Sequence, residues 1–284
     1  MSTLHIGGIS VQFPHAPYPC QVVYMEKVIL ALKGQKNALL ESPTGTGKTM
    51  SLLCSSLAWQ TSVNAARSSA ASSQAIQYSS VEISASFPVS FPALKPAEGS
   101  VVGSQYNPIG RPGFIIYASR THAQLQQVVQ ELKRTAYAPN VVILGSRDQL
   151  CINDSLKSKQ LKGSSLDQAC NSLCSQHRCY FKNNAEKKNQ VLPPNIMDIE
   201  DAVTFGRTNN VCPYFASRNN AAKADLILMP YNYLLDNSIR ASLQLEWHKA
   251  VVIFDEAHNL EEVRLTFLSH SAGVYLIFSL LGCF

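Results

Sequence analysis

The chain has no apolar run long enough to look like a bilayer span. Its last stretch, Val274 to Phe284, is apolar but only 11 residues long, against about 20 for a helix crossing the hydrocarbon core. No membrane contact is expected. The start, Met1-Ser2-Thr3-Leu4-His5, lacks a charged segment ahead of a continuous apolar run, which argues against a secretory signal. The eight cysteines include no Cys-x2-Cys pair, the tight turn that hands two ligands to a structural zinc. With no secretion signal, they read as thiolate ligands and not as disulfides. No internal repeat is visible. Charge is modest too. At 15% charged and 46% apolar, with mean hydropathy of -0.02, the 284 residues suit a soluble globular protein of one large or two smaller domains.

The richest local signal is Glu41-Ser42-Pro43-Thr44-Gly45-Thr46-Gly47-Lys48-Thr49. It follows the apolar Ala38-Leu39-Leu40 and precedes a helix-like run from Met50 to Trp59. A strand, a glycine-rich loop and a helix grip a nucleoside triphosphate. Gly45 and Gly47 let the backbone curl so that successive N–H groups point at phosphate oxygens, and the positive end of the helix adds to that field. Lys48 is expected to neutralise the β- and γ-phosphates of ATP, and Thr49 to offer its hydroxyl to Mg²⁺. Ser42 stands where the general pattern has glycine. A second element supports this reading. Ala250 to Phe254 reads as a buried strand and ends in Asp255-Glu256-Ala257-His258. A carboxylate at a strand tip beside a phosphate loop is where Mg²⁺ needs its second anchor, a role that suits Asp255. Glu256 is placed to polarise the attacking water, and His258 to couple nucleotide state to the rest of the protein.

Further strands are expected at Phe114 to Tyr117, Val141 to Leu144 and Leu226 to Met229, with helix-like segments at His122 to Arg134 and Tyr231 to Leu243. This alternation implies an α/β fold with a mostly parallel sheet covered on both faces, and ligands collect at the carboxyl ends of such strands. Residues 62–108 hold 12 Ser and four Pro without sustained periodicity, and read as a flexible surface insertion; a strand pair around Val81 to Phe91 is the competing reading. Residues 146–223 hold five of the eight cysteines and carry 11 Lys/Arg against seven Asp/Glu. This basic middle is a candidate for phosphate-backbone contact.

Cys151, Cys170, Cys179 and Cys212 follow C-x18-C-x8-C-x32-C, with Cys174 as a fifth thiol. Four thiolates suit a tetrahedral zinc or an iron–sulphur cluster, and the wide intervals lean toward the cluster. Tyr180-Phe181 and Tyr214-Phe215 flank two of these cysteines, with Arg178, Lys182 and Arg218 nearby. Aromatic faces among cations can stack the bases of a single strand; core packing around a metal explains them equally well.

Together these stretches resemble the iron–sulphur branch of the superfamily 2 DNA helicases, which includes the xeroderma pigmentosum D-type and Fanconi anaemia J-type enzymes. The resemblance rests on Phe13-Pro14, Pro17-Tyr18 and Gln21, on Leu40 to Thr49, and on Tyr117-Ala118-Ser119-Arg120-Thr121-His122. It continues through Leu144 to Cys151, Val211-Cys212-Pro213-Tyr214, Met229 to Leu235 and Phe254 to Asn259, and covers residues 5–263 apart from the Ser-rich insertion. It implies a RecA-like motor lobe over 1–145 and 224–263, and a 4Fe-4S domain over 146–223 held by Cys151, Cys170, Cys179 and Cys212. It also implies that Gln21 reads adenine, that Arg120 and Thr121 touch the DNA backbone, and that the protein works in the nucleus on DNA repair, recombination and telomeres. Cys174 has no counterpart in the pattern. Residues 264–284 match none of it and read as a divergent apolar tail. The second motor lobe's arginines, which complete the ATP site in such enzymes, have no match either. This chain is therefore expected to bind ATP weakly and to unwind nothing alone. A non-catalytic DNA-binding module is the alternative.

Overall fold

The computed structural model describes residues 1–43, 45–78, 113–187, 196–257 and 275–281. The chain opens with a hairpin that the sequence reading did not anticipate. Strands β1 (Ser2–Ile6) and β2 (Ile9–Phe13) pair antiparallel across Gly7-Gly8. Both glycines take positive φ, 55° and 79°, which a two-residue hairpin loop requires. The hairpin buries Val11 and Phe13 against helices α1 (Pro19–Lys33) and, beyond β3 (Ala38–Ser42), α2 (Lys48–Tyr78).

The rest is an α/β unit. Strand β4 (Ile115–Ser119) leads to α3 (His122–Lys133), then to β5 (Val141–Ile143). Six helices follow: α4 (Arg147–Leu150), α5 (Asp154–Lys157), α6 (Gly163–Ser175), α7 (Tyr180–Lys187), α8 (Ile199–Asn209) and α9 (Pro213–Ala221). The chain re-enters the sheet at β6 (Leu226–Pro230), runs through α10 (Tyr231–Leu235) and α11 (Asn237–Ser242), and adds β7 (Val251–Phe254) and β8 (Tyr275–Leu281). The six strands lie in the order β3-β8-β7-β4-β6-β5, every pair parallel.

Side chains alternate across this sheet, as the period of a strand demands. Ile115, Tyr117, Leu226, Leu228, Val251 and Ile253 face the core under α1, α2 and α3. Ile116, Ala118, Ile227, Met229, Val252 and Phe254 face the opposite core, beneath α10 and its neighbours. Burial on both faces explains why these strands read as unbroken apolar runs.

Three expectations change. The Ser-rich stretch does not begin as a loop: α2 continues to Tyr78. No Gly or Pro interrupts residues 62–78, and hydroxyls such as those of Thr61 and Ser68 bond back to carbonyls four residues earlier. Residues 79–108, with the strand pair around Val81 to Phe91, lie outside the described residues. The segment Tyr231 to Leu243 is two helices, because Asp236 accepts from the Ser238 and Ile239 N–H groups and starts a second one. Finally, part of the stretch read as a divergent tail is β8, seated between β3 and β7. Leu276, Ile277 and Ser279 are buried there, and an apolar run of this length suits a strand covered on both faces.

Candidate functional site

β3 ends at Ser42 and α2 begins at Lys48, so the loop between them lies at the carboxyl end of the sheet. Gly45 and Gly47 have φ of 75° and 72°, a region that L side chains avoid. A Cβ on Gly47 would lie 2.5 Å from Gln21 Nε2, so the glycine also admits Gln21. That glutamine is fixed at both ends. Its Nε2 donates to the Thr46 carbonyl at 2.9 Å, and its Oε1 accepts from the Tyr18 N–H at 3.0 Å. Thr46 and Ser42 share a hydroxyl contact of 2.6 Å, and Thr46 Oγ1 donates to the exposed Pro43 carbonyl. Lys48 Nζ donates to the carbonyls of Ser42 and Pro43 at 3.0 and 3.2 Å. Burial lowers the pKa of this ammonium, opposed by Asp255 and Glu256.

Asp255 follows β7 directly. Its N–H donates to the Ala118 carbonyl at 2.9 Å, and its own carbonyl accepts from the Tyr231 hydroxyl. The Tyr117 hydroxyl donates to Oδ2 at 2.7 Å. Burial pushes the Asp255 pKa up and the Glu256 charge adds to this, while the Tyr117 bond and Lys48 pull it down. Burial and the Asp255 charge hold Tyr117 itself well above the ordinary phenol range, so it remains a donor. Glu256 sits at φ 51°, an uncommon conformation for a residue with a Cβ, of the kind found at functional sites. Its Oε2 accepts from Gln124 Nε2 at 2.7 Å. Gln124 Oε1 in turn accepts from Ser119 Oγ and the Thr121 N–H, at 2.9 and 3.1 Å. One amide thus links the end of β4 to the end of β7.

These groups meet in a cleft of about 390 Å³ lined by Gln21, Gly45 to Thr49, Gln124, Asp255 and Glu256. Thr44 and His258 lie outside the described residues. A wider groove of about 1510 Å³ runs between the sheet's carboxyl edge and the helical insertion, lined among others by Arg120, Arg147, Tyr214, Phe215 and Arg218. Two guanidinium groups lie over the Tyr214 ring, Arg147 at 4.3 Å and Arg218 at 4.7 Å from its centre. Thr121 does not line this groove: its hydroxyl caps α3 by accepting from the Gln124 N–H. The other aromatic pair is split, with Tyr180 exposed and Phe181 packed among the thiols. Lys182 lies 5.4 Å from the centre of the Phe215 ring and pairs with Glu186.

Cys151, Cys170, Cys174 and Cys179 share one buried cluster, and Cys212 lies in the next, with Phe181 and Phe215 packed against both. All five are free thiols. Cys170 and Cys174, one helical turn apart, place their sulfurs 3.8 Å apart. Burial raises the pKa of Cys151, and that of Cys174 and Cys212 to about 12, with neighbouring thiols adding to it. Among the described residues, no group of three or more His, Cys, Asp or Glu that could hold a metal ion is found, so the expected four-cysteine ligand set is not drawn together as such a site.

The sequence reading gave no role to Tyr117, Gln124 or Arg147. Tyr117 could have been found as the one hydroxyl in the apolar strand 114–118. Gln124 could have been found from the spacing Thr121-x-x-Gln124, a capping-box pattern.

A parallel sheet whose glycine-rich loop and strand-end aspartate face one cleft defines a P-loop α/β lobe. The chain belongs to the DEAD_2 family, whose model matches residues 117–273. It is 44% identical over 266 residues to the regulator of telomere elongation helicase 1 of Mus musculus, aligning 93% of this chain with 21% of that protein. The Homo sapiens protein of the same name is 42% identical over 268 residues, with 93% and 21% aligned. The Oryza sativa homolog is 41% identical over 268 residues, with 93% and 26% aligned. The chain therefore spans about a fifth to a quarter of the length of these relatives. A solved XPD helicase structure covers 87% of this chain and 33% of its own, with a TM-score of 0.52 and 18% identity; it shares the fold. Among the described residues no helix is long and apolar enough to cross a membrane.

Proposed function

We propose that this chain is the first motor lobe of an ATP-dependent DNA helicase of the iron–sulphur DEAH type, working in the nucleus in DNA repair, recombination and telomere maintenance. The observation that carries the reading is the single cleft holding Lys48, Thr49, Asp255 and Glu256, which come from opposite ends of the sequence. The names of the relatives support the telomeric and helicase parts.

In this reading the loop Ser42 to Thr49, Thr44 included, wraps the triphosphate of ATP. Lys48 exchanges the carbonyls of Ser42 and Pro43 for phosphate oxygens. The first N–H groups of the 31-residue α2 aim at the same oxygens. Thr49 and Asp255 would hold Mg²⁺, which would supply charge neutralisation for the phosphates. Glu256 orients the attacking water, and His258 passes the nucleotide state onward. Gln21 meets adenine by exchanging one of its two present partners. Cys151, Cys170, Cys179 and Cys212 would be the thiolates to hold a 4Fe-4S cluster, which would brace the insertion, with Cys174 beside them. Single-stranded DNA lies along the groove: Arg120 meets a phosphate, Tyr214 offers a stacking face between Arg147 and Arg218, and Thr121 acts through the α3 cap.

The purified chain should bind a fluorescent ATP analogue only with Mg²⁺ present, and Lys48→Ala should weaken this at least tenfold. Iron with labile sulphide should copurify. Single-strand affinity should fall steeply with salt. Nucleotide binding that ignores both Mg²⁺ and Lys48→Ala would remove the motor-lobe reading and leave a DNA-binding module.

A further inference from the structure

Tyr117 lies within β4 with no exposed surface. Its neighbours on that face of the strand are apolar, yet its hydroxyl donates to Asp255 Oδ2 at 2.7 Å. Asp255, at the end of β7, is one of the two residues that the preceding reading gives to Mg²⁺, and the phenol reaches it from the neighbouring strand β4.

The direction of the proton matters. The phenol proton is committed to Asp255 Oδ2, and the ionised carboxylate offers lone pairs only. Without the phenol, Asp255 would lose the bond that fixes its plane. Partners behind metal ligands set orientation and affinity in this way, and their loss typically weakens metal binding about 10- to 100-fold.

The geometry points to Tyr117 as a positioning residue for the divalent cation, holding the Asp255 carboxylate through Oδ2. This rests on the cleft being a Mg²⁺-nucleotide site. Tyr117→Phe keeps the ring in the core and removes only the hydroxyl. Tyr24→Phe is the control, since it deletes another buried hydroxyl, 3.0 Å from Ser279 Oγ, that touches neither ligand.

The test titrates Mg²⁺ against a fluorescent ATP analogue bound to the full chain, and repeats the binding in EDTA, with circular dichroism and melting of each variant alongside. Tyr117→Phe should raise the Mg²⁺ midpoint about tenfold while leaving metal-free nucleotide affinity unchanged, and Tyr24→Phe should move neither. An unchanged Mg²⁺ midpoint in Tyr117→Phe overturns the inference, as does equal weakening with and without the cation. A wild-type chain that binds no nucleotide at any Mg²⁺ concentration overturns the site reading itself, and this inference with it.

Discussion

Asp255 shows how one residue sets stability against function. Burial raises its pKa, and the Tyr117 bond only partly reverses this. A carboxyl whose pKa rises on folding favours the folded state while protonated. That contribution is full below the ordinary Asp range and is lost as pH climbs through the raised value. At neutral pH the charged form therefore costs stability, which Mg²⁺ would offset. Asp255→Asn should melt higher than wild type in EDTA, by about 1 kcal/mol, and should lose Mg²⁺-dependent nucleotide binding. The same linkage predicts that the Mg²⁺ midpoint of the wild type rises as pH is lowered through the Asp255 titration, and that Asp255→Asn lacks this dependence. A variant melting lower than wild type in EDTA would show that the charge is well solvated and the sign wrong. Gly47 makes a second case. Its positive φ and the approach of Gln21 Nε2 leave no room for a methyl group. Gly47→Ala should destabilise by about 1–2 kcal/mol and weaken nucleotide binding.

At the scale of elements, α3 carries a link that pattern reading passed over. Thr121 and Gln124 cap the helix, as their spacing allows, but the Gln124 amide also reaches Glu256 across to β7. The cap was readable from four residues, whereas the reach depends on β4 and β7 lying side by side, which no local pattern encodes. The sheet strands were readable because burial on both faces makes them continuous apolar runs. The split at Asp236 and the length of α2 were not, since both turn on hydroxyl and carboxylate bonds to the backbone that compete finely with the alternatives. In the site, the loop glycines, Lys48 and Asp255 announced themselves by spacing, while the groove's Arg147 joined Tyr214 only through the packing of α4 on α9. Gln124→Leu should preserve the fold yet abolish any change in nucleotide affinity caused by single-stranded DNA, measured by anisotropy in both directions. Retained coupling would mean that Glu256 is not held through this amide. The insertion α4–α9 invites a separate test. Its apolar clusters are small, and two of the three contain the five thiols. If the insertion holds the proposed cluster, removing iron with an oxidant and chelator should open it to protease while the sheet resists, because a bound metal contributes folding energy.

Across the whole molecule, the phosphate loop and Asp255 belong to strands that never pair. Among the described residues, β3 joins the sheet only through β8, and β8 joins it to β7. Ile277 pairs with Ala38 on one side and Ile253 on the other, and is fully buried. Phe278 stacks on Phe254 with centroids 5.1 Å apart, and Ser279 meets Tyr24. The distance between Lys48 and Asp255 is therefore set by a strand that carries no catalytic group. Proline at 277 would remove a ladder N–H from a central strand and crowd its neighbours, a loss of about 3 kcal/mol or more. Ile277→Pro should thus detach β3 with its loop, and Mg²⁺-nucleotide affinity should fall at least tenfold. The cysteine insertion grows from β5 and β6 at the opposite end of the sheet, so any iron bound by the proposed cluster site should survive. Nucleotide binding lost with iron retained would show that the sheet's two ends fail separately, with β8 as the joint. Loss of both together would show one cooperative unit, and intact nucleotide binding would mean that β3 is held to Asp255 by the helices and not by the strand between them.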